Sequence, residues 1–196
     1  GKTLPSLASF FTGLTPFEHG ALSNTMRVLK PTMVVDWKNA GGRAHARVAN
    51  RALHPFCGLK EGFDSYAVRA KANEPNLGRE LVNAATPDIK ESKRLLLWAH
   101  FMAPHQPYEP IEPYRTQSLV GPSILANNQS LMLAHKNPSA EEENFSAYRD
   151  LYDAEIATAN QYMHEFFTLL DEQYRNAGRG GLLDNAIIVF FSDHGE

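Results

Sequence analysis

Two uninterrupted apolar runs of strand length govern what this chain can become: RLLLWAHF (94–101) and AIIVFF (186–191). A strand that is apolar at every position has both faces covered, which is the pattern of a parallel sheet flanked by helices rather than of an antiparallel sheet with one wet face. Neither run approaches the roughly 18 residues a membrane helix needs. Between them, Ile156, Ala159, Met163, Phe166, Phe167 and Leu170 recur at helical spacing. The spacing predicts a helix over 148–174, stopped by Asn176-Ala177-Gly178, with Gly180-Gly181 turning the chain into the last strand. Nearer the start, Ser6 to Leu14 reads as a short helix with Pro5 at its first turn and Gly13 at its end. Met33 to Ala40, closed by Gly41-Gly42, reads as a second helix, and Arg43 to Asn50 as a short strand running into a loop. Four prolines in MAPHQPYEPIEPY enforce an extended loop after the 94–101 run. Pro113 to Asn144 is mixed and polar and yields no assignment. Strands alternating with helices give the fold class: α/β, with a central mostly parallel (mixed) sheet sandwiched by helices.

Composition narrows the function. A hydrophobic content of 43%, a charged content of 21% and a net charge of -3 belong to a globular domain with no basic block. No nucleic acid is expected as partner, because binding it depends on clustered cations that displace counterions. The single cysteine, Cys57, excludes an internal disulfide framework. Membrane association stays open, as does localisation: secreted, periplasmic and cytoplasmic settings are all compatible. The chain opens in mid-pattern at Gly1-Lys2-Thr3-Leu4-Pro5 and stops just after a strand, so it is expected to be a partial catalytic domain, 1–196, truncated at both ends.

The candidate chemistry collects beyond strand and helix ends. Asp193 and His194 follow the 186–191 run, and α/β sheets place their sites just past the carboxyl ends of their strands. A carboxylate with an imidazole suits a divalent cation such as calcium, zinc or manganese. The alternative is a strand-end turn with an Asp cap. Thr3 heads a helix whose N-terminal N–H groups and dipole favour an anion. Its hydroxyl is a nucleophile only if activated, for which a bound cation suffices; otherwise Thr3 is an N-cap.

Five segments, in order, resemble the sulfatase family of the alkaline phosphatase superfamily. TLPSLASFFTGLTPFEHG resembles its signature, GLKEGFDSY its Gly-Phe-Asp segment and WAHFMAPHQPYEP its Pro-His-x-Pro-Tyr loop. YDAEIATANQYMHEFFTLLDE resembles its long helix, and NAIIVFFSDHGE its strand ending in Ser-Asp-His-Gly. The resemblance implies an alkaline phosphatase/sulfatase-like fold and hydrolysis of sulfate or phosphate esters at a metal site. The substrate it implies is a small-molecule, glycan or lipid ester. It gives Asp193, His194 and Thr3 as metal ligands and Thr3 as nucleophile. His105, in the proline-bound loop, becomes a catalytic donor and substrate contact. The first-strand Asp residues would precede Gly1 and further ligands would follow Glu196.

The departures are informative. Where the family carries Cys or Ser, oxidised to formylglycine, this chain has Thr3, and where it carries Arg it has Leu7. No formylglycine is expected. Asn50 stands where a lysine of the arylsulfatases would be. Lys2-Thr3-Leu4-Pro5 resembles the Lys-Thr-x-Pro of the nucleotide pyrophosphatase/phosphodiesterases, and Asn24 lies at the spacing of their substrate-binding Asn; its alternative is a polar turn residue. His19 and His100 read as structural, and Glu196 as a residue orienting His194. Three readings stand: a metal-dependent hydrolase preferring phosphate esters, a phosphoethanolamine- or phosphoglycerol-type transferase working through phospho-threonine, and an inactive binding protein.

Overall fold

The computed structural model describes residues 2–117 and 141–195. The chain forms α1 (Thr3–Thr12), α2 (Pro16–His19), α3 (Met33–Asn39), β1 (Arg43–Val48), β2 (Ser65–Val68), α4 (Leu77–Lys90) and β3 (Leu95–His100). It continues through α5 (Tyr114–Gln117), α6 (Glu141–Asn176) and α7 (Leu182–Asn185). Short 3-10 turns cover Arg51–Leu53, Pro55–Cys57 and Lys71–Asn76. It divides into two compact units, one made of Gly1–Phe101 with Glu165–Glu196, the other of Met102–His164.

The first unit is built on a parallel sheet in the order β2-β1-β3, with His45 opposite Ser65 and Arg43 opposite Leu95. Alternation along the strands sorts the two faces. Ala44, Ala46 and Val48 of β1 and Trp98 of β3 join a core with Leu4, Leu7, Ala8 and Phe11 of α1 and Val34 of α3. On the other face, Leu95, Leu97 and Ala99 pack with Leu81, Val82, Ala85 and Ile89 of α4 and Phe166, Leu170 and Tyr174 of α6. Helices on both faces of a parallel sheet are what the apolar runs call for.

The second face of β1 is charged. His45 is bonded through Nε2 to Asp88 of α4 at 2.8 Å and through Nδ1 to Ser65 of β2 at 2.9 Å. Arg43 reaches Asp88 at 3.3 Å, and Arg47 approaches Glu80 at 3.7 Å. The two carboxylates of α4 therefore lie along the cations of the central strand, and each charge under the helix has a partner.

The Gly-Phe-Asp segment enters β2 as architecture. Gly62 adopts φ 92, and a Cβ there would meet the backbone of Val34 and Val35 at 2.7 Å. Phe63 packs edge-on against Phe11 at a centroid distance of 6.4 Å. Asp64 accepts from the Ala44 N–H at 2.9 Å and pairs with Arg43 at 2.8 Å and Lys38 at 3.4 Å.

Several sequence expectations need correction. α1 begins at Thr3 rather than Ser6, because Lys2 is the extended cap residue. Gly180-Gly181 leads first into α7. The 186–191 run is not a ladder strand: Ala186 is extended, at φ -129 and ψ 143, but no strand pairs with the run among the described residues. Extended backbone counts as a strand only when a neighbour takes its N–H and C=O groups, and here Ile187 is 95% exposed. Of the unassigned stretch 113–144, residues 118–140 lie outside the described residues, as does Glu196.

Candidate active site

The N-terminus of α1 is the centre of the arrangement. Thr3 is the first helical residue and Lys2, the cap, makes no side-chain cap bond. Thr3 is thus not the N-cap, and its hydroxyl is left for other partners. The capping duty falls on a distant residue: Asn24 Oδ1 accepts from the Leu4 N–H at 2.9 Å, satisfying one of the unpaired donors of the first turn. That bond fixes the orientation of the Asn24 amide, so its donor Nδ2 points away from Leu4.

Thr3 itself is buried, and Asn50 Nδ2 donates to its Oγ1 at 3.2 Å. Asn50 follows the carboxyl end of β1, and its own Oδ1 accepts from the Ala52 N–H at 2.9 Å, capping the 3-10 turn. The sequence marks Asn50 only as a missing lysine; its contact with Thr3 spans 47 positions and has no local signal. Leu7, at the position of the family's Arg, is 1% exposed and belongs to the core.

The C-terminal segment lies along α1 and returns toward its first turn. Phe191 stacks on Phe10 at 4.3 Å, and Ser6, one turn beyond Thr3, donates through Oγ to the Asp193 carbonyl at 2.5 Å. Thr3, Asn24, Asn50 and the Asp193 backbone are therefore gathered at one end of α1. Ser6 is marked in the sequence only as part of the signature segment and of the helix, without a role of its own.

The Asp193 and His194 side chains lie side by side at the end of this segment. Asp193 Oδ2 is buried and makes no hydrogen bond among the described residues, although His194 Nε2 lies 3.8 Å away. His194 Nδ1 is 2.6 Å from the Gly195 carbonyl, which can only accept. Nδ1 therefore donates to that carbonyl, and Nε2 is the ring nitrogen turned toward Asp193. A buried carboxylate oxygen without a hydrogen-bond donor, with an imidazole nitrogen 3.8 Å away, is a donor pair of the chemistry a divalent cation takes. Among the described residues no group of three His, Cys, Asp or Glu side chains closes on a common point.

The remaining histidines separate in role. His19 is fully buried, its Nδ1 accepts from the Ala21 N–H at 3.2 Å and its Nε2 meets Ser9 Oγ at 3.1 Å, so it is a structural tie between α2 and α1. His100 ends β3, where its carbonyl accepts from Ala49 and its ring meets Trp98 edge-on. His105 belongs to the second unit. There its Nδ1 is 2.6 Å from the Gln106 carbonyl and its backbone N–H donates to Met102.

A comparison with curated proteins finds no match. The sulfatase family model, by contrast, matches residues 1–196, the whole chain, in agreement with the parallel sheet between helices and with the order of the five segments. By that match this chain is a member of the sulfatase family, a family of ester hydrolases.

Proposed function

We propose that the protein hydrolyses phosphate mono- or diesters in preference to sulfate esters, with Thr3 as nucleophile. The observation that carries this reading is the release of the Thr3 hydroxyl from capping, since Asn24 takes that duty. Threonine cannot provide the aldehyde hydrate by which formylglycine expels sulfate. Its ester must instead be opened by a second in-line attack.

The steps balance simply. Thr3 Oγ1 bonds to phosphorus and loses its proton while the ester oxygen leaves with one. Water then attacks phosphorus, the Oγ1–P bond breaks, and Oγ1 regains a proton. The dipole of α1 and the outward Nδ2 of Asn24 bind the non-bridging oxygens. A divalent cation (calcium, zinc or manganese) held by Asp193 and His194, with ligands from outside the described residues, supplies positive charge to the reacting oxygens when bound. Ser6 holds the Asp193 backbone against α1 and so fixes that carboxylate relative to Thr3. The family resemblance makes His105 a donor to the substrate or its leaving group.

The test is a parallel rate measurement on aryl phosphate, aryl phosphodiester and aryl sulfate. A phosphate ester should have the highest kcat/KM. Thr3→Ala should lower turnover by orders of magnitude with metal content unchanged, and Thr3→Ser should retain much of it. Aryl sulfate as best substrate, or wild-type rates in Thr3→Ala, would overturn the reading. Phosphoethanolamine or phosphoglycerol transfer uses the same phospho-threonine opened by an alcohol, and product analysis with an added alcohol separates the two.

A further inference from the structure

The amide of Asn50 is anchored at one end and aimed at the other. Ala52 N–H holds Oδ1 at 2.9 Å, which leaves Nδ2 as the atom facing Thr3 Oγ1 at 3.2 Å. The polarity of that contact is fixed: Asn50 donates, and Thr3 keeps its own proton for another partner. The pair sits where α1 meets the carboxyl end of β1, with Thr3 at 4% exposure, so water competes weakly for the bond.

We propose that Asn50 is a catalytic residue whose N–H stabilises negative charge on Thr3 Oγ1, chiefly when that oxygen is the leaving group. The inference rests on Thr3 as nucleophile. Phosphoryl transfer passes through a loose transition state, in which the bond to the incoming oxygen is barely made and the bond to the outgoing oxygen is nearly broken. When Thr3 attacks, Oγ1 therefore gains little from a donor. When water attacks the phospho-threonine, the Oγ1–P bond breaks, its electron pair stays on Oγ1, and the charge there is close to full. A neutral N–H already in place meets that charge without reorganisation. Asn50 thus acts mainly on the second half of the reaction.

Asn50→Asp tests this in the full protein. The aspartate keeps an oxygen for the Ala52 N–H and loses the donor toward Thr3. With aryl phosphate, kcat should fall on the order of 10²-fold, the scale for removing one oxyanion donor. KM should fall with it, because the covalent form accumulates. Rapid mixing should show a burst of about one aryl alcohol per protein, and acid quenching should trap phosphorylated Thr3 in the mass spectrum. Asn50→Ser, which also caps Ala52 but is too short to reach Thr3, should behave alike if the aspartate variant fails to fold. Unchanged or raised turnover, or a loss with no burst and no phosphorylated Thr3, overturns the role of Asn50. Full turnover in Thr3→Ala, or no turnover of any of the three esters by the unsubstituted protein, overturns the nucleophile reading instead.

Discussion

Gly62 shows how a residue that resembles a site signature can be purely architectural. Its φ of 92 lies in the left-handed region, and a Cβ would sit 2.7 Å from the α3 backbone, which cannot yield as a side chain would. Gly62→Ala is expected to destabilise the protein by about 1–3 kcal/mol, the usual range for overpacking, while the contacts of Thr3 and Asn50 stay as they are; urea denaturation followed by circular dichroism measures it. The same scale separates what sequence discloses from what it hides. Thr3, Asn24, Asp193 and His194 were singled out through family resemblance, and the structure gathers Thr3, Asn24 and the Asp193 backbone at one end of α1. The roles of Asn50 and Ser6 were not legible, because their partners lie 47 and 187 positions away and nothing local marks a side chain for a long-range hydrogen bond. Nor could sequence decide between nucleophile and cap for Thr3. The extended Lys2 at the cap position and the bond from Leu4 to Asn24 exclude the cap.

Among elements, α1, α3, β1, β3 and most of α6 were legible from periodicity and from their glycine and proline boundaries. β2 is only four residues long and half-buried throughout, too short for alternation to show. In α4 the apolar positions Leu77, Leu81, Val82, Ala85 and Ile89 do follow a helical stripe, but Gly78 near its start and Pro87 near its end mask it. Gly78 is there because Phe166 Cβ of α6 lies 2.7 Å from where a Cβ would be. The junction of β1 with β2 carries a pH prediction. Burial alone raises the Asp64 carboxyl, but the Ala44 N–H bond and the cations of Arg43 and Lys38 outweigh it and hold it below the ordinary value of 3.8. A depressed folded-state value stabilises the fold fully above the unfolded value, and that contribution is lost as pH falls through the folded one. Asp64→Asn should therefore be less stable than the parent at pH 7, and the gap should close on acidification below about pH 4. Denaturant titrations across that range check it; a gap independent of pH would contradict the charged role.

For the whole molecule, the proposed cation links ligand binding to stability. Calcium, zinc or manganese added to metal-stripped protein should raise the melting temperature with concentration, as expected when a ligand binds only the folded state. His194→Ala should abolish that rise and lower bound metal at least about tenfold, a loss on the scale of a missing ligand or its support. Equal metal in both proteins by elemental analysis would refute the assignment. The layered α/β organisation was legible from the 94–101 run, which became β3 and is covered on both faces, whereas the 186–191 run became no strand among the described residues; the separate unit Met102–His164 was not read from the sequence. The charged face of β1 carries a consequence for how this sheet assembles. Shifting the central strand by one residue against its neighbours would swing Arg43, His45 and Arg47 into the aliphatic layer under α1 and leave Asp88 and Glu80 stranded beneath α4. Such an alignment would be penalised twice over, once for each layer. The ion pairs of the native register are therefore expected to disfavour every other alignment, so that the register which satisfies them is also the one in which the carboxyl end of β1 brings Asn50 to Thr3.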